Sequence, residues 1–380
     1  MPLGLRNLVA NKARLVRSSA GIAFAVLLML VQLGFERGFF EASLAPYENL
    51  DGDIFFMNAD KYRVGTSDPF QHRYLTDAGK VAGVASASPL YASWQAFVWK
   101  PPGSDQNYQV QTFAFDPDHP AFLLSGVRQN SAALKTADTV LVDRRGRSFL
   151  DMDRDTGQGE INGRKVTVAG SFALGPDFVS DGTVMMSEQT YARLLPGNRE
   201  SAATLPVELG IVKVAAGQST AEVEQAVRTA LPASLRVMSH DEMIAFERNF
   251  DAELSSAGPI FWLGTLVGFV VGMLISYQVI YTDLTDQLPQ YATLKAMGYT
   301  TAYLVRSVME QAALSAVAGY VPAWLMCLGV YWLIEHIALL PLHMTASLTA
   351  LSFALTLSMC LVAAALAVRR VIAADPAEVF

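Results

Sequence analysis

Five histidines, two cysteines and one acidic run are the residues of this chain whose side chains could hold a metal or drive a reaction. His72, His119, His240, His336 and His343 include no His-x-x-x-His pair, the separation that puts two imidazoles on one helical face around a zinc ion. Cys327 and Cys360 each lie inside a long apolar run. On antiparallel helices rising about 1.5 Å per residue their depths differ by roughly 10 Å, beyond disulfide reach, so packing is their expected role. Asp151, Asp153 and Asp155 begin like a calcium loop, but Thr156 stands where the tight turn needs glycine and Asn162 where the bidentate glutamate belongs. A solvated turn ahead of an Asn162-Gly163 hairpin is the favoured reading, with an ion at 151–162 left open. Arg144, Arg145 and Arg147 form a small basic cluster that reads as a wet loop. There is no Gly-x-Ser-x-Gly elbow, and the sole Gly-Lys pair, Gly79-Lys80, continues with Val81, so no phosphate-cradling P-loop occurs. The expectation is a chain without catalytic, metal or cofactor residues, whose nucleotide chemistry, if any, belongs to another subunit that uses ATP and magnesium.

The elements that frame these residues carry more information. Residues 18–35, 259–281, 312–334 and 344–368 contain no Lys, Arg, Asp or Glu, and each is long enough for a helix to cross hydrocarbon. A composition 52% hydrophobic and 17% charged suits a hybrid of membrane helices and a water-facing domain. The net charge of −7 argues against nucleic acid, which needs a basic face. Arg6, Lys12, Arg14 and Arg17 precede the first apolar run without an acid among them, and Arg369 and Arg370 abut the last. Both termini are therefore expected in the cytoplasm. Glu36, Arg37 and Glu41 lie between the first run and Ser43-Leu44-Ala45, which disfavours a cleaved leader ending there.

These features predict a membrane α-helical protein, four transmembrane helices with one large α/β extracytoplasmic domain inserted between helices 1 and 2. The expected layout is a cytoplasmic segment 1–17, helix 18–35, an outer domain 36–258, helices 259–281, 307–334 and 344–368, a cytoplasmic loop 282–306 and a cytoplasmic tail 369–380. Within the outer domain, alternation and β-branched residues predict strands at 53–58, 94–99, 108–115, 139–142, 165–172, 183–186 and 208–214. Ser219 to Glu222 and Ser239 to Glu242 both fit a capping box. The second opens a helix over 239–254 that is read as a stalk.

Small residues at four-residue spacing mark the membrane segments: Gly264, Gly268 and Gly272 on the second, Ser315, Gly319 and Ala323 on the third. They let helices approach closely, either inside the chain or across a homodimer seam. Pro322 permits a bend. The cytoplasmic loop predicts a short helix with Pro289 near its start and Gly298 as its stop, carrying Leu288, Tyr291, Leu294, Lys295 and Met297.

The stretches Gln287–Tyr299, Leu5–Lys12 and Ala374–Phe380 resemble hallmarks of the FtsX-like (MacB-type) ABC transporter permeases, and the similarity is greatest to the DevC group. Val140–Arg145, Gly170–Ser187, Gly264–Tyr281 and Met359-Cys360 are also DevC-like, whereas Arg145–Phe149 departs from the Ser-Arg-Pro-Glu pattern of that group. The resemblance implies a dimerising permease in a bacterial inner membrane, coupled through the 282–299 loop to a separate ABC ATPase subunit, with Leu288, Tyr291, Leu294, Lys295, Met297 and Gly298 facing it. It further implies a second permease copy, a periplasmic membrane-fusion adaptor, an outer-membrane channel, contact with membrane lipids, and export of an amphiphilic or lipid-like substrate. An FtsX-like signal transducer that activates a periplasmic partner without transport is the alternative.

Overall fold

The computed structural model describes residues 12–373 apart from Arg154, Val179, Arg199, Ser255, Ser256, 287–288, 290–292, 294–296, Leu339 and Pro341. It divides into two units, residues 1–38, 256–336 and 342–380 in one, residues 39–255 and 337–341 in the other.

The second unit is built on a mixed eleven-stranded sheet among the described residues. Its strands are β1 (Ile54–Asn58), β2 (Val84–Ser93), β3 (Val98–Lys100), β4 (Tyr108–Gln109), β5 (Gln111–Phe115), β6 (Thr139–Asp143), β7 (Gly157–Ile161), β8 (Arg164–Phe172), β9 (Thr183–Ser187), β10 (Leu209–Val214) and β11 (Leu235–Ser239). Their order is β11-β1-β10-β2-β5-β9-β6-β8-β7-β3-β4. The β5/β9 and β6/β8 pairs are parallel. Every residue of β5, β6 and β9 is buried, as expected of central strands covered on both faces.

Successive side chains of β1 show the two-sided burial directly. Ile54 and Phe56 join one core with Leu75, Tyr191, Val223 and Val227, while Phe55 and Met57 join another with Tyr47, Phe122, Val127 and Met243. Helices α2 (Arg73–Gly79), α4 (Glu188–Leu194) and α5 (Thr220–Ala230) thus cover the first face. Helices α3 (Ser125–Asn130) and α6 (His240–Asn249), with the end of α1 (Lys12–Glu48), cover the second.

The strand predicted at 94–99 is corrected by the structure. β2 ends at Ser93, whose hydroxyl accepts the Ala96 N–H at 3.0 Å and turns the chain before β3 begins at Val98. The Ser219 capping box is also corrected: Ser219 precedes α5 without a side-chain cap. Ser239 does cap α6, accepting the Glu242 N–H while Glu242 accepts the Ser239 N–H. The turn at Asn162 (φ 51°) and Gly163 (φ 77°) joins β7 to β8, both residues in the left-handed region that a two-residue hairpin requires.

The first unit holds α1 up to residue 38 with α7 (Ala257–Asp286), α8 (Thr301–Ala338) and α9 (Ala346–Ala373). Four helices among the described residues are long and apolar enough to cross a membrane. They share a core in which Ile22, Val26 and Leu30 of α1 meet Ala316, Ala323 and Cys327 of α8 and Met359 and Cys360 of α9.

Candidate functional site

Two features of the membrane unit were singled out by sequence, the 282–306 loop and the small-residue faces. Leu288, Tyr291, Leu294 and Lys295 lie outside the described residues, as do Leu5–Asn11 and Ala374–Phe380. Around them Thr293 donates its hydroxyl to the Pro289 carbonyl at 2.9 Å, and the Met297 N–H reaches the Thr293 carbonyl at 3.0 Å. Gly298 follows at φ 93°, the left-handed conformation in which helices end. Met297 is 64% exposed, and the rings of Tyr299 and Tyr303 lie 4.9 Å apart.

The small residues face α1. A Cβ on Gly264 would stand 2.5 Å from Gln32, one on Gly272 would meet Met359 at 2.6 Å and Ala25 at 3.1 Å, and one on Gly319 would meet Ile22 at 2.5 Å. Gly268 has more room, with Met29 at 3.7 Å. Ser315 and Ala323 are buried on α8. Most of these positions are therefore occupied by backbone approach within this chain.

A tighter lock escaped sequence analysis. The Tyr331 hydroxyl on α8 donates to the Leu30 carbonyl of α1 at 2.5 Å, and a Cβ on Gly34 would overlap that hydroxyl. Gly34 is one helical turn past Leu30, so its missing side chain opens the route to the carbonyl. The same unit buries Tyr320, which donates to the Thr349 carbonyl at 2.9 Å, and pairs Gln311 with Asp283 at 3.1 Å. Cys327 and Cys360 are free and buried, Cys360 lying 3.6 Å from the Ser276 hydroxyl.

In the inserted domain, α6 continues as a π-helical turn over Phe250–Leu254. Its anchor is Glu247, fully buried, which accepts the Val64 N–H at 2.7 Å and meets Arg63 at 3.1 Å. Burial pushes the Glu247 carboxyl up from its ordinary range, while Arg63 and the Val64 N–H pull it down. Arg63 also lies 4.9 Å over the Phe250 ring, and Ser43 donates to Asp251 at 2.6 Å. The segment 61–66 is thus fastened to α6 and its π turn, and the π turn to the end of α1. The sequence signal was a glutamate between Met243 and Phe250 on the helix's apolar stripe, where a carboxylate needs a partner.

The acidic and basic loops serve the fold. Asp143 is fully buried and accepts N–H groups from Arg145 (3.0 Å), Leu174 (3.0 Å) and Gly175 (2.7 Å). Arg147 pairs with Asp181 at 2.8 Å, and Asp155 accepts the Ser171 hydroxyl at 2.5 Å. Among the described residues no three His, Cys, Asp or Glu side chains converge on a metal position. Asn162 does more than turn the chain: its amide nitrogen donates to Ala96 and Leu194, and its oxygen accepts the Val98 N–H at 2.9 Å.

Residues 262–376 match the FtsX-like permease C-terminal family. Solved structures similar to the chain include three domains of membrane proteins. The periplasmic region of MacB from Actinobacillus actinomycetemcomitans is 11% identical over 51% of this chain and 91% of its own, with a TM-score of 0.37. The extracellular domain of the noncanonic ABC-type transporter YknZ from Gram-positive bacteria is 10% identical over 50% of this chain and 99% of its own, at 0.34. A domain of a putative permease protein from Porphyromonas gingivalis is 15% identical over 50% and 90%, at 0.30. No curated protein matches the sequence.

Proposed function

We propose that this FtsX-like permease is the membrane subunit of an ABC-type exporter that converts ATP hydrolysis by a separate ATPase subunit into movement of its inserted domain. The observation that carries the reading is the family match over residues 262–376, which takes in α7 from Trp262, the loop, α8 and all of α9. The Lys and Arg bias puts both termini and the 282–306 loop in the cytoplasm, so the inserted domain faces the periplasm. The cytoplasmic loop, through Leu288, Tyr291, Leu294, Lys295, Met297 and Gly298, then docks the ATPase, and a second permease copy completes a homodimer.

The spans support movement as the output. Every Asp, Glu, Lys and Arg lies outside the apolar runs, so the membrane unit offers a polar cargo no charged path. The seams between α1, α7 and α8 are lined by Gly264, Gly272 and Gly319, which suits small rigid shifts of packed helices. In this reading a membrane-fusion adaptor and an outer-membrane channel receive an amphiphilic or lipid-like cargo from the domain, as the DevC resemblance implies. Purification of the tagged full chain in mild detergent tests the assembly. Recovery of an ATPase with adaptor and channel is expected, and recovery of an ATPase with a periplasmic hydrolase instead would replace export by signalling.

A further inference from the structure

Phe178 is 38% exposed in the 173–182 loop between β8 and β9, and the loop is built to hold it there. Asp143, buried on β6, accepts the N–H groups of Leu174 and Gly175 at 3.0 and 2.7 Å. On the other side of the ring, the Ser180 hydroxyl donates to the Gly182 carbonyl at 2.7 Å and accepts the Gln111 N–H at 3.1 Å. Pro176 is buried. Both flanks are thus fastened to the sheet while a large apolar ring is turned outward, which in water forgoes the stabilisation of burial.

What covers the ring follows from its neighbour. Phe178 lies 5.2 Å from the ring of Phe39 on α1, which meets Phe40 edge-on at 5.7 Å. α1 is a single helix from Lys12 to Glu48, and Phe24, Leu28, Phe35 and Phe39 follow one another along it at spacings of four, seven and four residues, which keeps them on one side. Phe24 and Leu28 are 56% and 45% exposed within the apolar run 18–35, so this stripe is a surface that a spanning helix turns to lipid. Phe39 continues the stripe by one turn, about 6 Å past the end of the run at Phe35. That is the depth of the headgroup layer, since a hydrocarbon core of about 30 Å lies within a bilayer of about 40–45 Å. An exposed apolar surface continuous with a membrane span marks a membrane contact. Asp177 flanks the ring, so zwitterionic lipid suits the loop better than anionic lipid.

We infer that the 173–182 loop rests on the lipid bilayer with Phe178 in the headgroup layer, a contact of the inserted domain with lipid beyond the two helices that join it to the membrane. The contact depends on α1 crossing the membrane and on no ATPase, adaptor or cargo, so it stands or falls apart from the exporter reading.

The test uses the full-length chain in phosphatidylcholine nanodiscs, with Phe178→Cys carrying a small fluorophore; Cys327 and Cys360 are buried and stay unlabelled. Leu123→Cys with the same label is the reference. Leu123 is 46% exposed, and its N–H donates at 2.8 Å to the carbonyl of Asn49, just past the end of α1 and about 20 Å along it from Phe35. Nitroxide on the lipid headgroup is expected to quench the Phe178 label at least about twofold more than nitroxide at the centre of the acyl chain does, and about twofold more than it quenches the Leu123 label. Phe178→Trp keeps a ring against Phe39; read as its difference from wild type, with lipid brominated near the headgroup or at the chain centre, it is expected to give the same order against Leu123→Trp. Any other order at Phe178 in either experiment overturns the contact, including the absence of lipid quenching that water or a second copy of the chain over the loop would produce.

Discussion

The hydrogen bond from Tyr331 to the Leu30 carbonyl exists because Gly34 has no side chain, and the two residues should respond differently to substitution. Tyr331→Phe deletes one interhelical hydrogen bond, a loss of about 0.6–1.7 kcal/mol within a membrane protein. Gly34→Ala drives a methyl into the hydroxyl and forces the helices apart, at about 1–3 kcal/mol of overpacking. Thermal melts of the full chain in micelles should rank wild type above Tyr331→Phe above Gly34→Ala, and the double variant should recover part of the Gly34→Ala loss. Equal melting of all four would mean that the contact carries no weight. Asp143 offers a pH-dependent case. Burial holds its carboxyl above the ordinary carboxylate value against the pull of three N–H donors. A raised folded-state pKa means that the native state binds the proton more tightly than the unfolded chain. The stabilisation is fully present below the unfolded value, near 3.8, and is lost as pH rises through the folded one. Asp143→Asn abolishes that titration and turns an amide towards the Gly175 N–H, leaving it unpaired at about 1–3 kcal/mol. The advantage of wild type over the variant should shrink as pH climbs above 3.8 and then level off; a constant difference from pH 3.5 to 7.5 would mean that Asp143 does not titrate with folding.

At the scale of elements, the four apolar helices and the strands with dense Val, Ile, Phe and Met were legible because burial writes itself into hydrophobic runs. β2, β7 and β11 were not. β2 carries Ala-Ser-Ala-Ser-Pro, and Pro89 argues against a central strand, yet its register opposite Gly210 of β10 and its pairing with β5 hold it inside the sheet. β7 reads Gly-Gln-Gly-Glu-Ile, a turn by composition; the bare Cα of Gly159 is where the Trp99 ring packs. Long-range pairing decided β2, and local sequence does not report it; β7 is held by its hairpin to β8 and by its pairing with β3. In the 282–306 loop the left-handed stop at Gly298 was legible for the opposite reason, since glycine acts locally. Leu294 of that loop is the element-scale prediction. Leu294→Asp adds a charge to the surface assigned to the ATPase without touching an apolar run, so insertion and yield should stay normal. ATP hydrolysis in the reconstituted complex should lose its dependence on the permease, and hydrolysis indistinguishable from wild type would remove Leu294 from the interface.

For the whole molecule, the proposal joins a stroke at the inner loop to displacement of a domain on the far side of the membrane, and it therefore fixes the sidedness of two residues. Cys327 and Cys360 are both fully buried, so new surface cysteines can be labelled against a silent background. Arg145→Cys lies at an exposed position of the inserted domain and should react with a membrane-impermeant maleimide in cells whose outer membrane alone is permeable. Lys295→Cys should react only after the inner membrane is opened. With that orientation established, the connection between the units becomes the decisive variable. α6 ends in a π-helical turn at Leu254, and α7 begins at Ala257. A four-residue Gly-Ser insertion at Ser255 adds slack of several ångströms while leaving the Glu247–Arg63 anchor and the small-residue seams unchanged. If the domain is driven as a lever, ATP hydrolysis in the insertion variant should remain stimulated by the permease while export falls at least about tenfold, because the stroke is then absorbed by the linker. Export at the wild-type rate with the linker in place would show that force does not pass along this connection.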